Sequence, residues 1–323
     1  MKLTTQANQS GQAWPWIGQS RLGAALLTML ASGRWPATAM FSGPEHLGKS
    51  TVARWLAQRD LCREPAAPCG ACTDCRAVAA GTHPDFLFIA PDDDHRFGTE
   101  EVGQALQGLS WKRASASSSR RWVIIGEVDR LSEHVGNTLL KLIEEPPPAT
   151  AILLTSSHPE RILPTILSRA VHFRWQAVSA AELDLALRTD WSKLSVSLRQ
   201  AIAAQAAGCP GKAMTLAAHP EALENEWLAS QDLVKALTTG RLADRTEWTS
   251  TDLDRCERII RDALLTSATG RPRHWPDHSD AFRRLSVQLG GHQLLQLARR
   301  LVQRQRYFQQ HVQPSFFLHD LIL

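Results

Sequence analysis

The chain has 323 residues, 43% of them hydrophobic and 21% charged, a soluble globular composition long enough for two or three separate cores. No apolar run approaches the ~20 residues needed for a helix to cross a bilayer, so no membrane-spanning helix is expected. The formal net charge of +4 permits contact with nucleic acid but is too mild to mark a dedicated binder.

In chain order, the first informative element is the apolar run Ala37–Ser42, which predicts a strand. Gly43-Pro44-Glu45-His46-Leu47-Gly48-Lys49-Ser50 follows, a full match to G-x-x-x-x-G-K-[ST], and Thr51–Arg59 then has helical spacing. A strand, a glycine turn and a helix N-terminus form a nest of backbone N–H groups that suits a polyphosphate. Lys49 is placed to reach the β- and γ-phosphates and Ser50 to ligate Mg²⁺. Gly43, Gly48, Lys49, Ser50 and Thr51 are thus the candidate residues for ATP or ADP with Mg²⁺. An eight-residue match also arises by chance; the flanking strand and helix favour the nucleotide site.

Next come Cys62, Cys69, Cys72 and Cys75, which place four thiols within 14 residues. Their two C-x-x-C spacings let neighbouring sulfurs converge on one tetrahedral ion, and Pro65, Pro68 and Gly70 supply the turns. The alternatives are free thiols or disulfides. A polar N-terminus and a nucleotide site point to a reducing compartment, where the pattern reads as structural zinc. Protein sulfur at every position leaves no place for a substrate. Cys209 and Cys256 stand alone and read as core or surface residues.

Asp85–Ala90, Trp122–Ile125, Thr150–Thr155 and Ala170–Trp175 are further strand candidates, with helical patterns at Glu100–Leu109 and Val135–Ile143 between them. Strands alternating with helices predict a parallel sheet covered on both faces, its ligand at the strand C-termini. From about residue 178 the pattern is helical throughout. Helices are predicted at Ala180–Arg188, Leu194–Ala206, Pro210–Ala217, Glu221–Thr238, Thr251–Thr266, Asp280–Leu289 and Gln293–Gln310. The division is an α/β module over 1–177 carrying the cysteine knuckle at 62–75, a small helical lid over 178–218 and an all-α region over 219–323.

A hydrolysing phosphate-loop site needs a second strand ending in Asp-Glu, the Asp to orient Mg²⁺ and the Glu to polarise water. Here Val123-Ile124-Ile125-Gly126-Glu127 retains the Glu and replaces the Asp by glycine. Glu127 is a candidate catalytic base in an impaired site. Asp129 is a candidate substitute carboxylate, but it lies beyond the strand end.

These motifs, with Val123–Ser132, Asn137-Thr138-Leu139-Leu140-Lys141-Leu142-Ile143-Glu144-Glu145-Pro146-Pro147 and Pro164–Arg169, resemble the bacterial clamp-loader subunits of DNA polymerase III. Ile17-Gly18-Gln19 and the ending Phe316–Leu323 resemble the family's two ends, so the likeness covers nearly the whole chain. The resemblance implies an AAA+ ATPase fold and a five-subunit ring held by a C-terminal collar. It also implies gamma/tau and delta subunits, a sliding clamp and primed DNA as partners, in a cytoplasmic, nucleoid-associated replisome.

Residue by residue, the resemblance places Gly48, Lys49 and Ser50 on the phosphate loop and the four cysteines on a zinc module. Ser156 falls at the sensor of the γ-phosphate. Arg169 matches the arginine that reaches the ATP of an adjacent subunit, with Ala170 where that motif has cysteine. Gly211, followed by Lys212, stands where active subunits carry a second sensor arginine. His46 stands where related loops often have another glycine. Impairment at His46, Gly126 and Gly211 with the outgoing arginine intact resembles the delta-prime type, which completes the ring and serves a neighbour's site. The alternatives are a gamma-type motor subunit with a working site, or a free-standing phosphate-loop zinc protein that binds nucleic acid.

Overall fold

The computed structural model describes residues 6–7, 13–14, 16–91, 97, 120–239 and 249–308. The expected helix Glu100–Leu109, the serine-rich stretch at 114–119 with Lys112 and Arg113, and the ending Phe316–Leu323 lie outside the described residues. The chain folds as two compact units, Met1–Ser179 with Cys209–Gly211, and Ala180–Gly208 with Lys212–Leu323.

The first unit is built on five parallel strands: β1 (Thr38–Ser42), β2 (Phe86–Ile89), β3 (Arg121–Ile125), β4 (Thr150–Ser156) and β5 (Val171–Arg174). Their order across the sheet is β2-β3-β4-β1-β5. Helices α1 (Ser20–Ala31) and α2 (Lys49–Leu61) cover one face. Helix α4 (Glu133–Glu144) and the short turn α5 (Pro164–Leu167) cover the other; α3 (Thr73–Ala80) follows the cysteine turn.

Strand periodicity explains why both faces need covering. Ala39, Phe41, Trp122, Ile124, Ala151 and Leu153 pack with Leu26, Leu27, Val52 and Leu56. The alternate positions Met40, Val123, Ile125, Ile152 and Leu154 pack with Val135, Leu139, Ile143 and Ile166. Truncating a fully buried ring such as Phe41 to alanine costs about 3–5 kcal/mol. Register then builds the site: Phe41 pairs with Thr155 and Ser42 with Ser156, so the loop after β1 opens beside the end of β4. Gly126 N–H continues the ladder past β3 to Ile89 O at 2.7 Å.

The second unit is helical, with α6 (Ala180–Asp190), α7 (Val196–Gln205), most of α8 (Pro210–Ala218), α9 (Glu221–Thr239), α10 (Ser250–Thr269) and α11 (Ser279–Phe308). Trp227, Trp275 and Phe282 centre its larger core among Ile259, Ile260, Leu285, Leu294 and Leu297. Thr249 and Asp252 form a reciprocal cap at the start of α10. Buried Asp262 ties α10 to the following turn, accepting from His274 N at 2.7 Å and Trp275 N at 3.2 Å. Helix α11 contains a non-helical Gly290, at the break between the two helices predicted from sequence.

Candidate functional site

The phosphate loop springs from β1 as predicted, and Gly43 is required there by close packing. A Cβ at Gly43 would lie 2.3 Å from Trp175 O, with the backbone at a φ of 147°. His46 has a φ of 60°, a left-handed conformation that glycine adopts without strain and a branched ring does not. Gly48, also left-handed, precedes α2 and brings Lys49 and Ser50 to its first turn.

The lysine is held by the loop and by the end of β4. Lys49 Nζ donates to Gly43 O and Pro44 O at 2.7 Å each and to Ser157 Oγ at 3.1 Å. These acceptors engage every N–H of the ammonium. Burial lowers the Lys49 pKa from its ordinary value, opposed by Asp129 and Glu45 nearby. Ser50 Oγ lies 3.2 Å from Thr155 Oγ1, which also accepts from Glu127 N at 3.2 Å. Thr155 thus bridges the two segments that a Mg²⁺ ion and its waters join in a hydrolysing site.

Gly126 lies beside this bridge. A Cβ there would stand 3.7 Å from Ser50 Oγ and 3.4 Å from the nearest carbon, ordinary contacts. The missing carboxylate is therefore a vacancy in otherwise suitable space. Glu127 is tied to Arg130, Nε to Oε2 at 2.7 Å, and Arg130 also reaches Glu45 at 3.3 Å. Asp129, the candidate substitute, accepts from Ser157 N at 3.1 Å through Oδ1.

A cavity of about 360 Å³ over the loop is lined by His46, Lys49, Ser50, Thr51, Glu127 and Arg130, among others, with Thr155 and Ser157 from the end of β4. Ser156, the expected sensor, is fully buried and its hydroxyl accepts from His158 N at 3.1 Å. Strand alternation turns Thr155 and Ser157 toward the loop and Ser156 away, a two-residue period already legible in the sequence. Gly211 closes the loop from another side: its N–H donates to His46 O at 2.8 Å. A Cβ at 211 would lie 2.8 Å from that same oxygen. Unlike Gly126, Gly211 sits where this loop conformation excludes a side chain.

The four cysteines come together. Their sulfurs all lie within 4.8 Å of one another, with Cys62–Cys72 and Cys69–Cys75 at 3.9 Å. Zinc–sulfur bonds of about 2.3 Å in a tetrahedron put sulfurs about 3.8 Å apart, so the donor set fits zinc. Backbone N–H groups of Ala71 and Cys72 pull the Cys69 thiol down to about 7; burial pushes Cys75 up to about 12. Cys72 Sγ accepts from Cys75 N at 3.3 Å and so caps α3. The sulfur cluster and this helix are one structural element.

Arg169 follows α5 and is half-exposed. Its Nη1 donates to Thr165 O at 3.1 Å and its Nη2 to Glu144 Oε1 at 3.0 Å. Sequence reasoning named the loop, Glu127, the cysteines and Arg169 as candidates. It missed Thr155, Ser157, Arg130 and Glu144, whose roles come from contacts distant in sequence.

A family model described as DNA polymerase III, delta subunit matches residues 18–179, half of the chain. The tau subunit of DNA polymerase III from Escherichia coli is 34% identical over 169 residues, 52% of this chain and 26% of that protein. The delta' subunit from Pseudomonas aeruginosa is 37% identical over 131 residues, 40% of each chain. The chain thus spans well under two thirds of the length of these relatives. A DNA polymerase III gamma subunit-related structure from Thermotoga maritima aligns over 92% of this chain and 97% of its own, at 18% identity and a TM-score of 0.40. With its phosphate loop, parallel sheet and matched family segment together, the chain belongs to the DNA polymerase III, delta subunit family of clamp-loader AAA+ proteins.

Proposed function

We propose that this chain is a delta-prime-type ring subunit of a DNA polymerase III clamp loader, weak or inert at its own nucleotide site and donating Arg169 to a neighbour's ATP. One contrast carries the reading: Gly126 offers no carboxylate beside Ser50 Oγ, whereas the Arg169 guanidinium is held at the surface. The closure of Gly211 on His46 supports the same conclusion. Gamma/tau and delta subunits are the proposed neighbours, acting on a sliding clamp and primed DNA in the cytoplasm. Zinc in the cysteine cluster is structural. A lid over 178–218 and a collar over 219–323 complete the proposed division. Within the nucleotide site, Ser157 is the better-placed sensor, since it and not Ser156 contacts Lys49.

In a neighbour's site, a planar guanidinium spans two oxygens and neutralises charge developing on the transferred phosphoryl group. The gamma-type reading keeps one observation in its favour, the 34% identity to a tau subunit over 169 residues. Steady-state ATPase of the isolated protein separates the two. The delta-prime type shows negligible turnover, while turnover abolished by Lys49→Ala would establish a motor subunit.

A further inference from the structure

We propose that Glu144 is the positioning residue for Arg169, holding the guanidinium in the orientation it presents to an adjacent subunit's triphosphate; this rests on the reading of Arg169 as a trans-acting arginine. Glu144 is the last residue of α4, and Arg169 lies just beyond α5. The arginine folds back over its own turn, Nη1 on Thr165 O at 3.1 Å and near Ser168 Oγ at 3.4 Å, while Glu144 takes Nη2 at 3.0 Å from a different helix. Two anchors on opposite ends of a planar fork fix its plane as well as its position. The Nε–H and the second Nη2–H have no partner among the described residues, which leaves donors for a phosphate oxygen.

Stability is a poor explanation for this pair. Both side chains are nearly half exposed, 41% and 48%, and ion pairs in water contribute little to folding. Orientation is a better one. Arginine has high rotamer freedom, and freezing it during the reaction rather than beforehand slows the step by roughly 2- to 10-fold.

The test uses the reconstituted loader with clamp and primed DNA, comparing wild type, Glu144→Gln, Arg169→Ala and the double variant. Glu144→Gln is expected to leave ring assembly unchanged and to lower kcat at the served site by roughly 2- to 10-fold with little change in KM for ATP. In the Arg169→Ala background the same substitution should add nothing. Wild-type turnover for Glu144→Gln beside a slow Arg169→Ala overturns the positioning role and leaves the arginine reading intact. Wild-type turnover for Arg169→Ala removes both. A faster Glu144→Gln shows that the carboxylate sequesters the arginine, and an additive double variant shows that it acts elsewhere; either result overturns the proposal.

Discussion

Three residue-scale departures surround one loop, and they are physically unlike. Gly126 leaves room: a side chain there meets only ordinary contacts and faces Ser50 Oγ. Gly126→Asp should therefore fold normally and strengthen Mg²⁺-dependent nucleotide binding by about 10-fold, measured by calorimetry with and without magnesium. Unchanged affinity would mean that Lys49 and its carbonyl partners, rather than the lost carboxylate, set the occupancy. Gly211 leaves no room. Gly211→Arg must displace His46 O, at a cost of about 1–3 kcal/mol, read as a lower denaturant midpoint. His46 was legible as an anomaly in the sequence, but its left-handed φ was not, because local pattern carries no dihedral. Ser156 was legible as polar and near the site. The alternation of β4, continued one residue past its end, turns Thr155 and Ser157 toward the loop instead.

At the scale of elements, the strands were readable because sheets buried on both faces appear as short continuous apolar runs. Their bounds shift by a residue or two, as pairing extends β3 to Arg121 and β4 to Ser156. Helix α1 went unpredicted although Gly23, Leu26, Leu27 and Leu30 carry the buried spacing of a helix face. Helix α3 was hidden within the cysteine pattern, where ligand spacing drew the eye from Thr73–Ala80. That overlap has a consequence. Because Cys72 is both a sulfur donor and the cap of α3, Cys72→Ser should lower zinc content from about one per chain and loosen α3 together. Elemental analysis and hydrogen exchange over Thr73–Ala80 provide the check. Exchange that stays slow in zinc-free protein would show that the helix is held by packing alone.

At the scale of the molecule, family and α/β architecture were legible because motif order and strand–helix alternation are properties of the sequence itself. The proposed division of labour was only half legible. Gly126 is visible in the sequence as a position without a carboxylate, but the bond from Lys49 to Ser157 and the pairing of Glu144 with Arg169 join residues remote in sequence. Lys49 is hydrogen-bonded within its loop and to Ser157, and the Arg169 guanidinium is held at the surface by Glu144 and Thr165. The most direct measurement is clamp- and DNA-stimulated ATPase of the reconstituted loader carrying Arg169→Ala. The account predicts normal assembly and zinc content, with a loss on the order of 10³-fold at the one site served and a smaller fall in the whole-complex rate. Arg169→Lys should rescue little, since lysine lacks the planar fork. A variant that assembles, hydrolyses and loads clamps at the wild-type rate would contradict the account and leave Arg169 a structural residue.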